Sequence, residues 1–170
     1  MAIARFLHRG PLPIFQWSAV AAGLFVSLGI HIVLTAFGLG IAFMGDGMEG
    51  DTAAIGLLLW SGLAWLVASF VGGYVAAWVS GSFRYIGGLF HGLVMWGALT
   101  FVLMFLPPST TMGVGAMGSE SVLSVPVISS VAWFVAIGGL LSLGSTIWGA
   151  LIGSSVVEQV EAKTDTYRAA

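Results

Sequence analysis

Four stretches of the chain, approximately Phe15 to Phe43, Ala53 to Val79, Tyr85 to Leu106 and Val127 to Ser154, contain no Lys, Arg, Asp or Glu. Each exceeds the roughly 20 mostly apolar residues that a helix needs to cross a hydrocarbon core of about 30 Å. A backbone in lipid has to satisfy its own N–H and C=O groups, which leaves helices and closed barrels. Barrel strands alternate polar and apolar positions, and these stretches do not. Pro13, Pro107, Pro108 and Pro126 all fall outside them. The expected fold is therefore all-α, an integral membrane bundle of four transmembrane helices. It comprises an N-terminal segment of residues 1–14, a single transmembrane domain of residues 15–154 and a polar tail of residues 155–170.

Composition agrees: 58% of residues are hydrophobic and 7% charged, with a mean hydropathy of +1.04, against roughly 25% charged in a soluble domain. The net charge of −2 comes with five scattered basic residues, so there is no basic patch of the kind that binds nucleic acid. The absence of cysteine removes disulfides, thiolate metal sites, iron–sulfur clusters and cysteine nucleophiles. A secretory signal has an apolar core of only about 7–15 residues. The uncharged run from Ile14 to Phe43 is far longer and is expected to stay in the membrane.

Cytoplasmic loops retain Lys and Arg. Arg5 and Arg9 precede the first stretch, Arg84 lies between the second and third, and Lys163 and Arg168 lie in the tail. The other two loops carry only acids, namely Asp46, Glu49, Asp51 and Glu120. Both termini are thus expected in the cytoplasm, with Trp17, Trp78 and Tyr85 at the same interface. The segment from Pro107 to Pro126 reads as an ordered but mobile outer loop. The tail reads as prolonging the fourth helix by one or two turns. A parallel duplication of a two-helix hairpin is suggested by Ala64-Trp65-Leu66-Val67-Ala68 beside Ala132-Trp133-Phe134-Val135-Ala136, and by Gly23-Leu24-Phe25 beside Gly88-Leu89-Phe90. In so restricted a composition, coincidence accounts for these matches equally well.

Small residues recur at four-residue spacing, which puts them on one stripe of a helix and lets a neighbouring backbone come close. The second helix carries Ala64, Ala68, Gly72, Ala76 and Ser80. The fourth carries Gly138, Ser142, Thr146, Ala150 and Ser154, with a second stripe at Ser145, Gly149 and Gly153; the third contributes Gly88 and Gly92. In the first helix Ala19, Gly23, Ser27, His31 and Thr35 form the equivalent stripe. These are packing faces before anything else. An ionisable residue at mid-membrane is also a candidate functional site, so Ser27, His31 and Thr35 with His91 form the candidate polar site. Its plainer reading is a neutral His31 imidazole bonded to a hydroxyl of an adjoining helix.

No catalytic, metal or cofactor residue is assigned. A bis-histidine haem between His31 and His91 is disfavoured by depth. At about 1.5 Å per residue His31 lies roughly 21 Å in from Trp17, and His91 roughly 9 Å in from Tyr85. Met44, Met48, Met112 and Met117 fall in or beside the outer loops; thioethers suit Cu(I), but their spacing matches no metal loop, and gap-filling is the preferred account. No serine, histidine and acid share one depth, as hydrolysis by a triad requires.

Trp17-Ser18-Ala19 with Ala22-Gly23, Gly72-Gly73-Tyr74-Val75-Ala76, and Gly88 with His91-Gly92-Leu93 and Trp96 together give a resemblance over the first two-thirds of the chain. The sequence resembles a loosely defined group of small four-span bacterial inner-membrane proteins often labelled PhnA-like, departing from it where Ala77 replaces an expected glycine. The resemblance implies a membrane fold and a bacterial inner membrane, and no activity. The leading expectation is a non-enzymatic membrane component that acts by helix packing, in the lipid bilayer, with itself as a homo-oligomer or with another membrane protein. The competing expectations are a homo-oligomeric channel or transporter for an ion or small solute, with His31 on the polar path, and, well behind it, a haem-binding redox protein.

Overall fold

The structure is a computed structural model and describes residues 15–44, 51–81, 85–105 and 125–169. Among these residues it is all-helical: α1 (Trp17–Met44), α2 (Asp51–Val79), α3 (Tyr85–Phe105) and α4 (Val125–Ala169). All four are long and apolar enough to cross a membrane. Residues 107–124 of the expected outer loop, the methionines Met48, Met112 and Met117, and Arg5, Arg9 and Arg84 lie outside the described residues.

The helix ends follow local chemistry. The Gln16 carbonyl accepts from Ala19 N–H (3.1 Å) and Val20 N–H (3.3 Å), which makes Gln16 the N-cap of α1. α2 stops at Gly81, whose φ of 59° a side chain would oppose; Ser80 N–H bonds the Ala76 carbonyl and Gly81 N–H bonds that of Trp78, closing the last turn. Pro126 is the second residue of α4, in the first turn, where its missing N–H has no intrahelical partner to lose.

α4 corrects one expectation. It runs 45 residues to Ala169, about four turns beyond Ser154, where one or two were anticipated. Past Gly153 the sequence has neither glycine nor proline, and its Glu, Gln, Lys and Ala residues favour helix. Nothing local therefore ends it.

In cross-section the helices form a rhombus. α2 and α3 touch each other and both remaining helices, whereas α1 and α4 share no substantial interface among the described residues. α2 against α4 is the most extensive contact, followed by α1 against α2. α1 and α2 are antiparallel, with Ser27 beside Gly72 and Leu34 beside Trp60. α2 and α4 run parallel, since Leu66 meets Ser145, Phe70 meets Gly149 and Tyr74 meets Gly153. The proposed hairpin duplication finds no counterpart in the packing. Ala64 and Ala68 are buried while Ala132 and Ala136 are exposed, and the α2–α3 contact has no matching α4–α1 contact.

The interior is made of small residues. Ala19, Ala64, Ala68, Ala76, Ala77 and Ala150 are buried with Ser27, Ser69, Ser142, Thr146 and Ser154; Met95 and Leu99 are the largest fully buried side chains. Bulk faces outward: Phe25 is 73% exposed, Ile86 76%, Leu140 71% and Trp133 67%. This reverses a water-soluble bundle, whose large apolar side chains turn inward. Gly23, Ala68, Gly72, Ala76, Gly88, Gly92, Gly149 and Gly153 are all buried. A Cβ on Gly23 would sit 2.5 Å from the Gly72 carbonyl oxygen, and one on Gly149 would strike the Phe70 carbonyl. Gly144, in contrast, faces open space.

Gly149→Ala is expected to push α2 from α4 and destabilise the bundle by about 1–3 kcal/mol. Gly144→Ala should be neutral or stabilise by up to about 1 kcal/mol through helix propensity. Thermal unfolding of both variants in mild detergent, followed by circular dichroism, checks the contrast.

Candidate functional site

His91 and His31 are both buried, and their surroundings differ completely. Gln16 N–H donates to His91 Nε2 at 3.1 Å, so that nitrogen carries a lone pair. Nδ1 therefore holds the proton and donates to the Gly87 carbonyl at 2.7 Å. Phe15 stacks on the ring with centroids 5.0 Å apart, and Trp17 meets Phe15 edge-on. A backbone N–H at a helix start has no intrahelical acceptor; His91 supplies one from α3. Both ring nitrogens are thereby committed, and His91 is an anchor for the start of α1 rather than a member of the His31 group.

Hydroxyls on α3 and α4 resolve their burial locally. Thr100 donates to the Trp96 carbonyl, Ser142 to that of Gly139, Thr146 to that of Ser142 and Ser154 to that of Ala150. Two contacts cross between helices: Trp96 Nε1–H donates to Ser142 Oγ at 2.9 Å, and Ser145 Oγ donates to the Leu66 carbonyl at 2.9 Å.

Six side-chain atoms on α1 and α2 behave otherwise. Ser27 Oγ, both His31 ring nitrogens, Thr35 Oγ1, Trp65 Nε1 and Ser69 Oγ are buried with no partner among the described residues. Ser27 and Ser69 are 0% exposed and His31 5%. The α1–α2 register puts Ser27 level with Ser69 and His31 level with Trp65, whose ring reaches toward α4, 4.0 Å from where a Cβ on Gly138 would sit. Ser27 and Ser69 lie roughly 15 Å from the Trp17 and Val79 ends of their helices, and His31 and Trp65 both roughly 21 Å. A buried polar group left unpaired costs about 1–3 kcal/mol. Six such atoms together rival the net stability of a typical domain, about 5–15 kcal/mol.

Packing bounds this polar seam at both ends. Below it Ser27, Gly72 and Met95 converge, and a Cβ on Gly72 would lie 2.8 Å from each of the other two side chains. Above it the Trp60 ring fills the space over Gly38, and its Nε1–H donates to the Leu34 carbonyl at 2.7 Å. Leu24 and Leu28 pack against a cluster of Val20, Ala76, Met95 and Leu99.

Ser27, His31 and Thr35 thus lie where the sequence stripe puts them, whereas His91 belongs elsewhere. Ser69, Trp65 and the closing Trp60 were not singled out by spacing. Counting inward from Trp17 and from Val79 brings Ser69 and Trp65 to the levels of Ser27 and His31, and that match is the signal available for them. No Lys, Arg, Asp or Glu lies within the spans, and among the described residues no three His, Asp or Glu come together. Comparison with protein-family models, curated proteins and solved structures finds no match to this chain.

His91→Phe retains a ring against Phe15 but withdraws both hydrogen bonds. It should cost about 1–2 kcal/mol and speed hydrogen exchange at the Gln16 amide by about 5–30-fold, the same energy read as a rate. Exchange measured by NMR in micelles checks this.

Proposed function

We propose that this chain is a multi-pass integral membrane protein of a bacterial inner membrane, with both termini cytoplasmic, that acts non-enzymatically through contacts with itself or another membrane protein. The carrying observation is the inverted distribution of bulk, with alanine, glycine and serine at the crossings and Phe25, Phe37, Ile86, Phe101, Leu140 and Trp148 facing outward. Lipid chains solvate such a surface, and small-residue contact is how helices associate among them. Exposed Trp17, Trp78 and Tyr85 at one end fit an interfacial belt beside the basic residues. The resemblance to PhnA-like proteins supports the bacterial membrane. Acids and bases lie outside the spans, which supports a role other than acid–base catalysis there.

The α4 extension favours a partner. Glu158, Gln159, Val160, Ala162, Lys163, Thr164 and Thr166 are all exposed, so these side chains pack on nothing among the described residues. The arm continues α4 without a break, so its exposed faces are held out where a partner can dock. A competing reading, passage of an ion or small solute past His31, is favoured by the polar seam.

Single cysteines at Ser82 and Ala170 are expected to react with an impermeant maleimide only from the cytoplasmic side, and one at Ser119 only from outside; the opposite pattern would overturn the orientation. Deleting residues 158–170 is expected to abolish co-purification and crosslinking to a partner while leaving the bundle's Tm within about 2 °C. A full-length protein that stays strictly monomeric and partnerless under crosslinking in its native membrane would refute the accessory role.

A further inference from the structure

We propose that the Gln16–His91 bond is a proton-sensitive latch, which holds the start of α1 against α3 while the imidazole is neutral and releases it when the ring takes up a proton. The latch does not depend on the contacts proposed above for the chain as a whole. Its first support is the source of the acceptor. In a capping box the N–H of the N-cap residue is bonded by a Glu or Gln three positions on. For Gln16 that position is Ala19, whose side chain has no acceptor. The acceptor is instead His91 Nε2, at 3.1 Å and 75 residues away. Imidazole is the side-chain acceptor that a proton removes between about pH 8 and 5.

The second support is that the ring cannot shift its bonding to absorb the proton. Nδ1–H is already given to the Gly87 carbonyl at 2.7 Å, one turn back on the same helix, so the lone pair on Nε2 is the position left to protonate. A proton there turns the acceptor into a second donor, and two N–H groups then face each other across the contact. Turning the ring over does not help, because both nitrogens donate. Phe15, stacked on the ring with centroids 5.0 Å apart, is attracted to an imidazolium as well, which confines the change to the Gln16 amide and the turn that follows. Gln16 and Trp17 are exposed while His91 is buried, so opening of this one turn gives solvent access to the ring. Among the described residues no charged group faces it. Phe15 and Gln16 meet it from α1, and the neighbouring Gly88 and Gly92 meet Ala77 of α2 and Ala150 and Ser154 of α4. The nearest titratable side chains along those helices are Tyr74, which lies beside Gly153, and the exposed Tyr85 and Glu158.

Amide exchange and imidazole 15N shifts of the full-length protein in micelles, both followed by NMR from about pH 8 to about pH 4.5, test the latch. Exchange is expressed as protection relative to the unstructured rate at each pH, which removes the pH dependence of the exchange chemistry itself. Gln16 protection is expected to fall by about 5–30-fold, the size of one hydrogen bond, as the His91 ring protonates, and the two curves should share a midpoint. Protection at Ser80, whose N–H bonds the Ala76 carbonyl, should stay constant, which separates release of one turn from loss of the bundle. His91→Gln and His91→Phe, neither of which titrates, should each make Gln16 protection independent of pH. The proposal is overturned by a ring that stays neutral over the whole range, by Gln16 protection that persists once the ring is protonated, or by a loss in either variant that follows the wild-type curve.

Discussion

Glycine and alanine at the helix crossings set the distance between the four backbones, and every other contact is made at that distance. Where Gly23 meets Gly72, and Gly149 meets Phe70, one helix lies against the carbonyl oxygens of the next. No side chain larger than hydrogen fits there. Such proximity gives dispersion contacts along whole turns, which is the available source of cohesion where apolar burial alone does not drive association. It also explains why α2 is the hub: small residues recurring at Ala64, Ala68, Ser69, Gly72, Gly73, Ala76, Ala77 and Ser80 let it accept α1, α3 and α4 on adjoining faces.

Much of this was legible in the sequence, for a physical reason. A helix has to be long, uncharged and free of internal proline to cross a bilayer, and those properties are visible one residue at a time. Small-residue stripes are almost as plain, because four-residue spacing maps directly onto a face. The partner of each stripe was not legible. Parallel α2 and α4 share the largest interface although they are not consecutive, and nothing in either helix announces that. The polarity of the tail suggests an early end to α4, but helix formation depends on propensity, which Glu158 to Lys163 satisfy. The sequence groups His91 with His31 in one candidate polar site while placing them at different depths. Their roles separated only when the Gln16 amide was found on one ring and no partner on the other.

Polar groups divide the bundle in two. α3 and α4 hold their hydroxyls in short local bonds, reinforced by Trp96 on Ser142 and Ser145 on Leu66. α1 and α2 are joined by the Trp60 bond to Leu34 and by small-residue contact, with the unpaired seam between these two points. The α3–α4 and α2–α4 crossings therefore each carry a side-chain hydrogen bond, whereas Ser27, His31, Thr35 and Ser69 on α1 and α2 carry none among the described residues.

The His91 anchor has a consequence for the order of assembly. α1 emerges first from the ribosome, yet the acceptor for its Gln16 amide lies 75 residues later in the chain, on the third helix. The first helix can form along most of its length before that point. Its opening turn lacks that acceptor until α3 arrives beside it, so a turn made before α3 is completed only after it.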